Sequence, residues 1–131
     1  MSDSFEVKMV QMNFVSGPSA NVPISVLHVP SSAGAQTVLE AYFIGGTIGT
    51  LGTFYLMTGT AATSGTLGTA NATMLGTCAG TGVGIFPAQV QVAFTLAASP
   101  VIPAGNWLGV YSNSGYNATG NIFQVSYVSG R

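Results

Sequence analysis

The chain has 131 residues, 47% of them hydrophobic and 4% charged, with a formal net charge of −1. This length predicts one domain, and so little charge with so much apolar content excludes a disordered chain. Only Lys8 and Arg131 are basic, which excludes the electrostatic footprint of a nucleic-acid binder.

In chain order, Met1-Ser2-Asp3-Ser4-Phe5-Glu6 is acidic, where a secretory signal would be basic and then apolar; synthesis in a cytoplasm is expected. Phe5 to Val15 reads as a long first strand or amino-terminal arm (residues 1–15). Val10, Met12 and Phe14 fall on one face and Phe5, Val7 and Met9 on the other, a pattern that asks for cover on both sides. Ser16 to Pro23 is a turn, and residues 16–131 form the expected β-sandwich domain. Ile24 to Val29 is a strand ended by Pro30. Thr37 to Ile44 is a third strand and Thr53 to Thr58 a fourth.

Gly-Thr pairs recur from Gly46-Thr47 to Gly80-Thr81 at irregular spacing, so a solenoid with a fixed period is a poor fit. Threonine favours strands and glycine weakens them while allowing close approach. A strand over Thr66 to Leu75 is possible there, and a loose surface loop is the other option. Gln89 to Leu96 alternates strictly, with Val90, Val92, Phe94 and Leu96 on one side, and predicts one continuous strand. Ser99 to Gly105 is a loop with two prolines, Asn106 to Tyr111 a strand, and Ile122 to Val128 the last strand. The expectation is an all-β, antiparallel β-sandwich of seven or eight strands, closed as a Greek-key jelly roll.

No apolar run approaches the roughly 20 residues of a spanning helix; Ala41 to Ile44 and Phe54 to Met57 are cut short by glycine or threonine. No membrane partner is therefore expected. Catalysis is not expected either. His28 is the one histidine and reads as a packed or partner-facing strand residue. A triad on it would need a carboxylate from Asp3, Glu6 or Glu40. Glu6 and Glu40 read as solvated or paired with Lys8 rather than as a glycosidase pair. Neither a zinc nor a calcium ligand cluster occurs, no phosphate loop is read, and no cofactor is expected. Cys78 is the lone cysteine and reads as an inert thiol. Asn71-Ala72-Thr73 and Asn117-Ala118-Thr119 match the glycosylation pattern by chance. Trp107, Tyr111 and Tyr116, near Asn113 and Asn117, could form a sugar-stacking patch.

What this leaves is adhesion to other proteins. Interface cores are depleted in charge, and edge strands without lysine gatekeepers accept added strands. The charge-poor Gly/Ala/Thr-rich body, the arm "SDSFEVKMVQMNF" and the late strand "VIPAGNWLGVYS" resemble the small all-β structural proteins of tailed-phage virions, especially head decoration (cement) proteins. "IPAGNWLGV", Ile102 to Val110, also resembles the penultimate strands of jelly rolls of the tumour necrosis factor and complement globular-head class. The resemblance implies a virion protein, a homotrimer on the outer capsid surface whose partners are itself and the major capsid or another virion protein. On that reading the arm residues Phe5, Val7, Met9, Val10, Met12 and Phe14 contact the shell, and Phe123, Val125 and Tyr127 contribute to a subunit interface. The alternative is a trimeric jelly-roll binding module for a glycan or receptor, such as a fibre tip.

Overall fold

A computed structural model describes residues 6–14, 24–46, 49–50, 52–60, 72–80, 85–113 and 121–129. Among these the regular elements are all strands, twelve in number. They are β1 (Val7–Phe14), β2 (Ile24–His28), β3 (Gln36–Ile44), β4 (Gly49–Thr50), β5 (Phe54–Gly59), β6 (Ala72–Cys78), β7 (Ile85–Phe86), β8 (Gln91–Ala93), β9 (Thr95–Leu96), β10 (Val101–Ile102), β11 (Trp107–Ser112) and β12 (Asn121–Ser129). Two five-stranded antiparallel sheets carry the fold. The first runs β1-β12-β3, with β10 and β8 sharing the far side of β3, and the second runs β2-β11-β5-β6-β9; β4 and β7 form a small ribbon.

The sheets face each other across one core, as alternating strands with one apolar face require. Phe43, Phe123 and Val125 of the first sheet pack in the same cluster as Phe54, Leu56, Leu108 and Val110 of the second. The sheets are joined most directly by rings. Phe43 stacks on Phe54 with centroids 4.4 Å apart, and Phe86 of the ribbon meets both edge-on at 5.0 and 5.3 Å. Phe94 lies parallel to Phe123 at 5.2 Å.

Most expected strands are present within a residue or two, and the differences are informative. Gln89 to Leu96 is not one strand. Its first half, β8, pairs with β3 and its second half, β9, pairs with β6 of the other sheet. Phe94 sits at the crossing, buried, with its backbone N–H donating to Ala41 O at 2.8 Å. The proline-rich loop contains β10, whose Ile102 is fully buried. The strand expected over Thr66 to Leu75 is found at Ala72–Cys78, and Thr66 to Asn71 lie outside the described residues.

Gly76 is where glycine is needed. An added Cβ would stand 2.9 Å from Thr95 O and 3.0 Å from Leu96 Cδ2, in the register where β6 pairs β9. The oxygen is backbone and cannot yield without disturbing that pairing. Gly76→Ala is therefore expected to lower the unfolding free energy by about 1–3 kcal/mol, read as a fall in melting temperature. An unchanged melt would mean that β9 is not docked on β6.

Candidate functional site

At the open side of the two sheets, β1 and β2 are edge strands, each paired on one flank only among the described residues. β1 pairs along its whole length with β12, from Val7 opposite Val128 to Phe14 opposite Asn121. Its alternation divides as the sequence implies. Val10 packs against the core, whereas Val7 and Met9 are 59% and 60% exposed. Met12 is half-buried, Phe5 lies outside the described residues, and of Phe14 only the backbone is described. Leu39 of β3, between buried Val38 and Ala41, adds a third large exposed apolar side chain to this sheet.

Lys8 alternates with Val7 and Met9 and so lies on the inward side of β1, directly opposite Tyr127. There the two sheets part and leave a pocket of about 100 Å³, partly open to solvent. Lys8 and Tyr127 line one wall, Gln36 of β3 the interior, and Leu27 and His28 of β2 the other wall. The segment after β2 closes one end. It is pinned by Val29 N–H donating to Asn106 O at 3.0 Å and Gly105 N–H donating to Val29 O at 2.8 Å. Gly105 makes that turn at φ +84°, a conformation that favours glycine.

Gln36 is the unusual residue here. It is 6% exposed, its Nε2 donates to Gly34 O at 3.0 Å, and its Oε1, fully buried, accepts nothing. Exchanging the amide's O and N would set oxygen against oxygen at Gly34, so the bond fixes the orientation. A buried acceptor without a donor costs roughly 1–3 kcal/mol. His28 is exposed, and its ring lies on Trp107, its cross-strand partner, at 4.3 Å.

The other sequence candidates fall elsewhere. Phe123 and Val125 are buried in the chain's own core, because they alternate onto the inner face of β12; they offer no surface to a second subunit, and of that trio only Tyr127 reaches solvent. Tyr111 is likewise buried, stacked on Tyr55 at 5.1 Å. Trp107 is half-buried and Tyr116 lies outside the described residues, so the sugar-stacking patch is not assembled as expected. Glu40 is level with Met9 across β12, three residues along from Glu6 and two strands over, so the two carboxylates do not face each other. Desolvation, with the hydrogen bond and charge of Glu40, holds the Tyr42 phenol above its ordinary pKa. Cys78 is buried, with its Sγ 3.8 Å from Val92 O. Burial pushes its thiol up to about 11, partly opposed by a backbone hydrogen bond from Gly80. At neutral pH it is a thiol and a poor nucleophile.

Sequence reasoning missed the pocket. Its polar residues stand at positions 8, 28, 36 and 127, on four different strands, and no local pattern joins them. The one available signal was Lys8, a basic residue on the core-facing side of an apolar strand. The chain matches no protein-family model, no curated protein and no solved structure.

Proposed function

We propose that this chain is a non-enzymatic virion structural protein of the capsid-decoration type, which binds the outer shell and stabilises contacts between capsomers. The observation that carries this reading is the outward face of β1: Val7 and Met9, more than half exposed, on an edge strand of a sheet that also exposes Leu39. Adjacent exposed apolar groups of this kind mark protein contact surfaces. A free edge adds main-chain donors and acceptors for strand addition. The strand order supports a jelly roll, since the chain passes between β1-β12-β3-β8 and β2-β11-β5-β6 as two interleaved Greek keys do. A homotrimer follows from the scarcity of charge and from the resemblance to virion proteins, with the subunit contact on sheet surfaces other than Phe123 and Val125.

The test is co-sedimentation with shells lacking their decoration protein. The wild-type chain is expected to bind saturably. Val7→Lys combined with Met9→Lys is expected to weaken binding at least about tenfold, since charge placed in an apolar interface core must be desolvated. Both side chains are exposed, so the melting temperature should move by only about 2 °C or less. Equal binding by the double variant would remove β1 from the interface. No binding by the wild-type chain would remove the shell reading altogether.

A further inference from the structure

We infer that the outer face of the first sheet docks a protein surface that presents an arginine to Glu40 from within an apolar surround. The inference rests on the reading of the Val7 and Met9 face as a protein contact, and it specifies the chemistry of what covers that face. It starts from an irregularity in β3. Burial alternates along the strand except at Leu39 and Glu40, which are exposed in succession. The pairing with β12 explains this. Glu40 stands opposite Ser126 and Val38 opposite Tyr127, so Leu39 is an extra residue without a cross-strand partner. Bulges of this kind re-aim side chains. Strict alternation would turn one of the two toward the core; the bulge sets a leucine and a carboxylate side by side on the outer face. Met9 lies in the same row, beyond Ser126, about 10 Å away at the usual strand spacing.

Two observations select the occupant. The hydroxyl of Tyr42, two residues along β3, donates to the Glu40 carboxylate. That bond orients the carboxylate and uses one of its roughly four acceptor sites. The face also lacks a counter-charge. Lys8, the one Lys or Arg among the described residues, alternates to the other side of β1. A partner that covers Leu39 and Met9 also desolvates Glu40, which is costly unless the partner brings a cation. Arginine suits the place better than lysine: its fork takes the carboxylate bidentately, its plane stacks on an aromatic ring such as Tyr42, and its stem lies along apolar side chains. A second copy of this face would bring another Glu40 and no cation of its own, so like charges would meet. Nucleic acid and anionic lipid are repelled by the same carboxylate. The fitting partner is a different protein.

The experiment has two arms, both on the full chain. In co-sedimentation with shells lacking their decoration protein, Glu40→Gln is expected to weaken binding at least about tenfold. Glu6→Gln removes the same charge from just before β1, on the side opposite Val7, and should stay within about twofold of wild type. Both glutamates are exposed, so both variants fold. Equal binding by Glu40→Gln, or an equal loss in Glu6→Gln, overturns the proposal. The second arm decides the matter if the wild-type chain binds no shell. It is a heteronuclear NMR titration with acetyl-Leu-Arg-Leu-amide and with the same peptide carrying citrulline, which keeps the shape and removes the charge. The arginine peptide is expected to shift the amides of Met9, Leu39, Glu40 and Tyr42 together and to bind about threefold or more tighter than the citrulline peptide. Glu40→Gln should erase that preference. With no shell bound, this outcome removes the shell reading and keeps the arginine site, whereas equal binding of the two peptides, or no joint shift, removes both. Light scattering that finds a dimer, reduced to monomer by Val7→Lys with Met9→Lys, would place a second copy on this face and overturn the proposal.

Discussion

Phe54→Ala is expected to lower the unfolding free energy by about 3–5 kcal/mol. Phe54 has no exposed surface. It stacks on Phe43 of the facing sheet at 4.4 Å and meets Phe86 of the β4–β7 ribbon at 5.3 Å and 81°. Removing its ring deletes one corner of a three-ring cluster that joins all three sheets. The neighbours cannot collapse into the space, because Phe43 and Phe86 are held by their own strands. A domain of this size holds roughly 5–15 kcal/mol in all, so the variant keeps little reserve. The measurement is a thermal or urea melt, with an expected fall in midpoint on the order of 10–20 °C. Phe54→Leu fills part of the space and should recover more than half of the loss. A drop of less than about 5 °C for the alanine variant would mean that the sheets are not held together at these rings.

The ease with which that cluster could be anticipated was uneven. Strands β3, β5, β11 and β12 are long enough for their apolar content to declare them, and each is found within two residues of expectation. The sheet to which a strand belongs is not written in its periodicity. Gln89 to Leu96 alternates without a fault, yet the chain changes sheets at Phe94. Alternation records which side chains face the core, and Phe94 faces the core from either sheet. β10 has two residues between Pro100 and Pro103. Proline at both flanks spoke for a loop, whereas pairing with the end of β3 and burial of Ile102 make it a strand. The sequence reading puts Tyr111 in a sugar-stacking patch and Phe123 at a subunit interface. Both are buried, which is the usual fate of a large ring in a central strand. The pocket was out of reach for a further reason. Gln36 gains its importance only from the absence of a donor, and an absence of that kind exists only in the folded chain.

Deletion of residues 2–14 is expected to abolish cooperative folding, even though the segment sits at an edge and carries the proposed shell contact. β1 is paired with β12 along all eight of its residues, so it is a full member of the first sheet. Its removal would leave β12 with an unpaired flank of backbone N–H and C=O groups. It would also uncover the side of the core that Val10 packs against. Fully burying one aliphatic side chain contributes about 1.5–3 kcal/mol. Val10 and half-buried Met12 together approach a large share of the net stability expected for such a domain, before any ladder hydrogen bond is counted. A long, newly bared edge is also a template for intermolecular pairing, so the shortened chain should aggregate. Size-exclusion chromatography with a far-ultraviolet melt checks this: large assemblies and no sigmoidal transition are expected. A truncated chain that remains soluble and melts cooperatively within a few degrees of wild type would make residues 2–14 an appended arm, and loss of shell binding on deletion would then report on contact alone. If the truncated chain fails to fold, its failure to bind shells says nothing about the interface, and the paired Val7→Lys and Met9→Lys substitutions become the decisive variant. They alter only the outward face of β1 and leave Val10, Met12 and the pairing with β12 in place, so contact and folding separate in that variant as they cannot in the deletion.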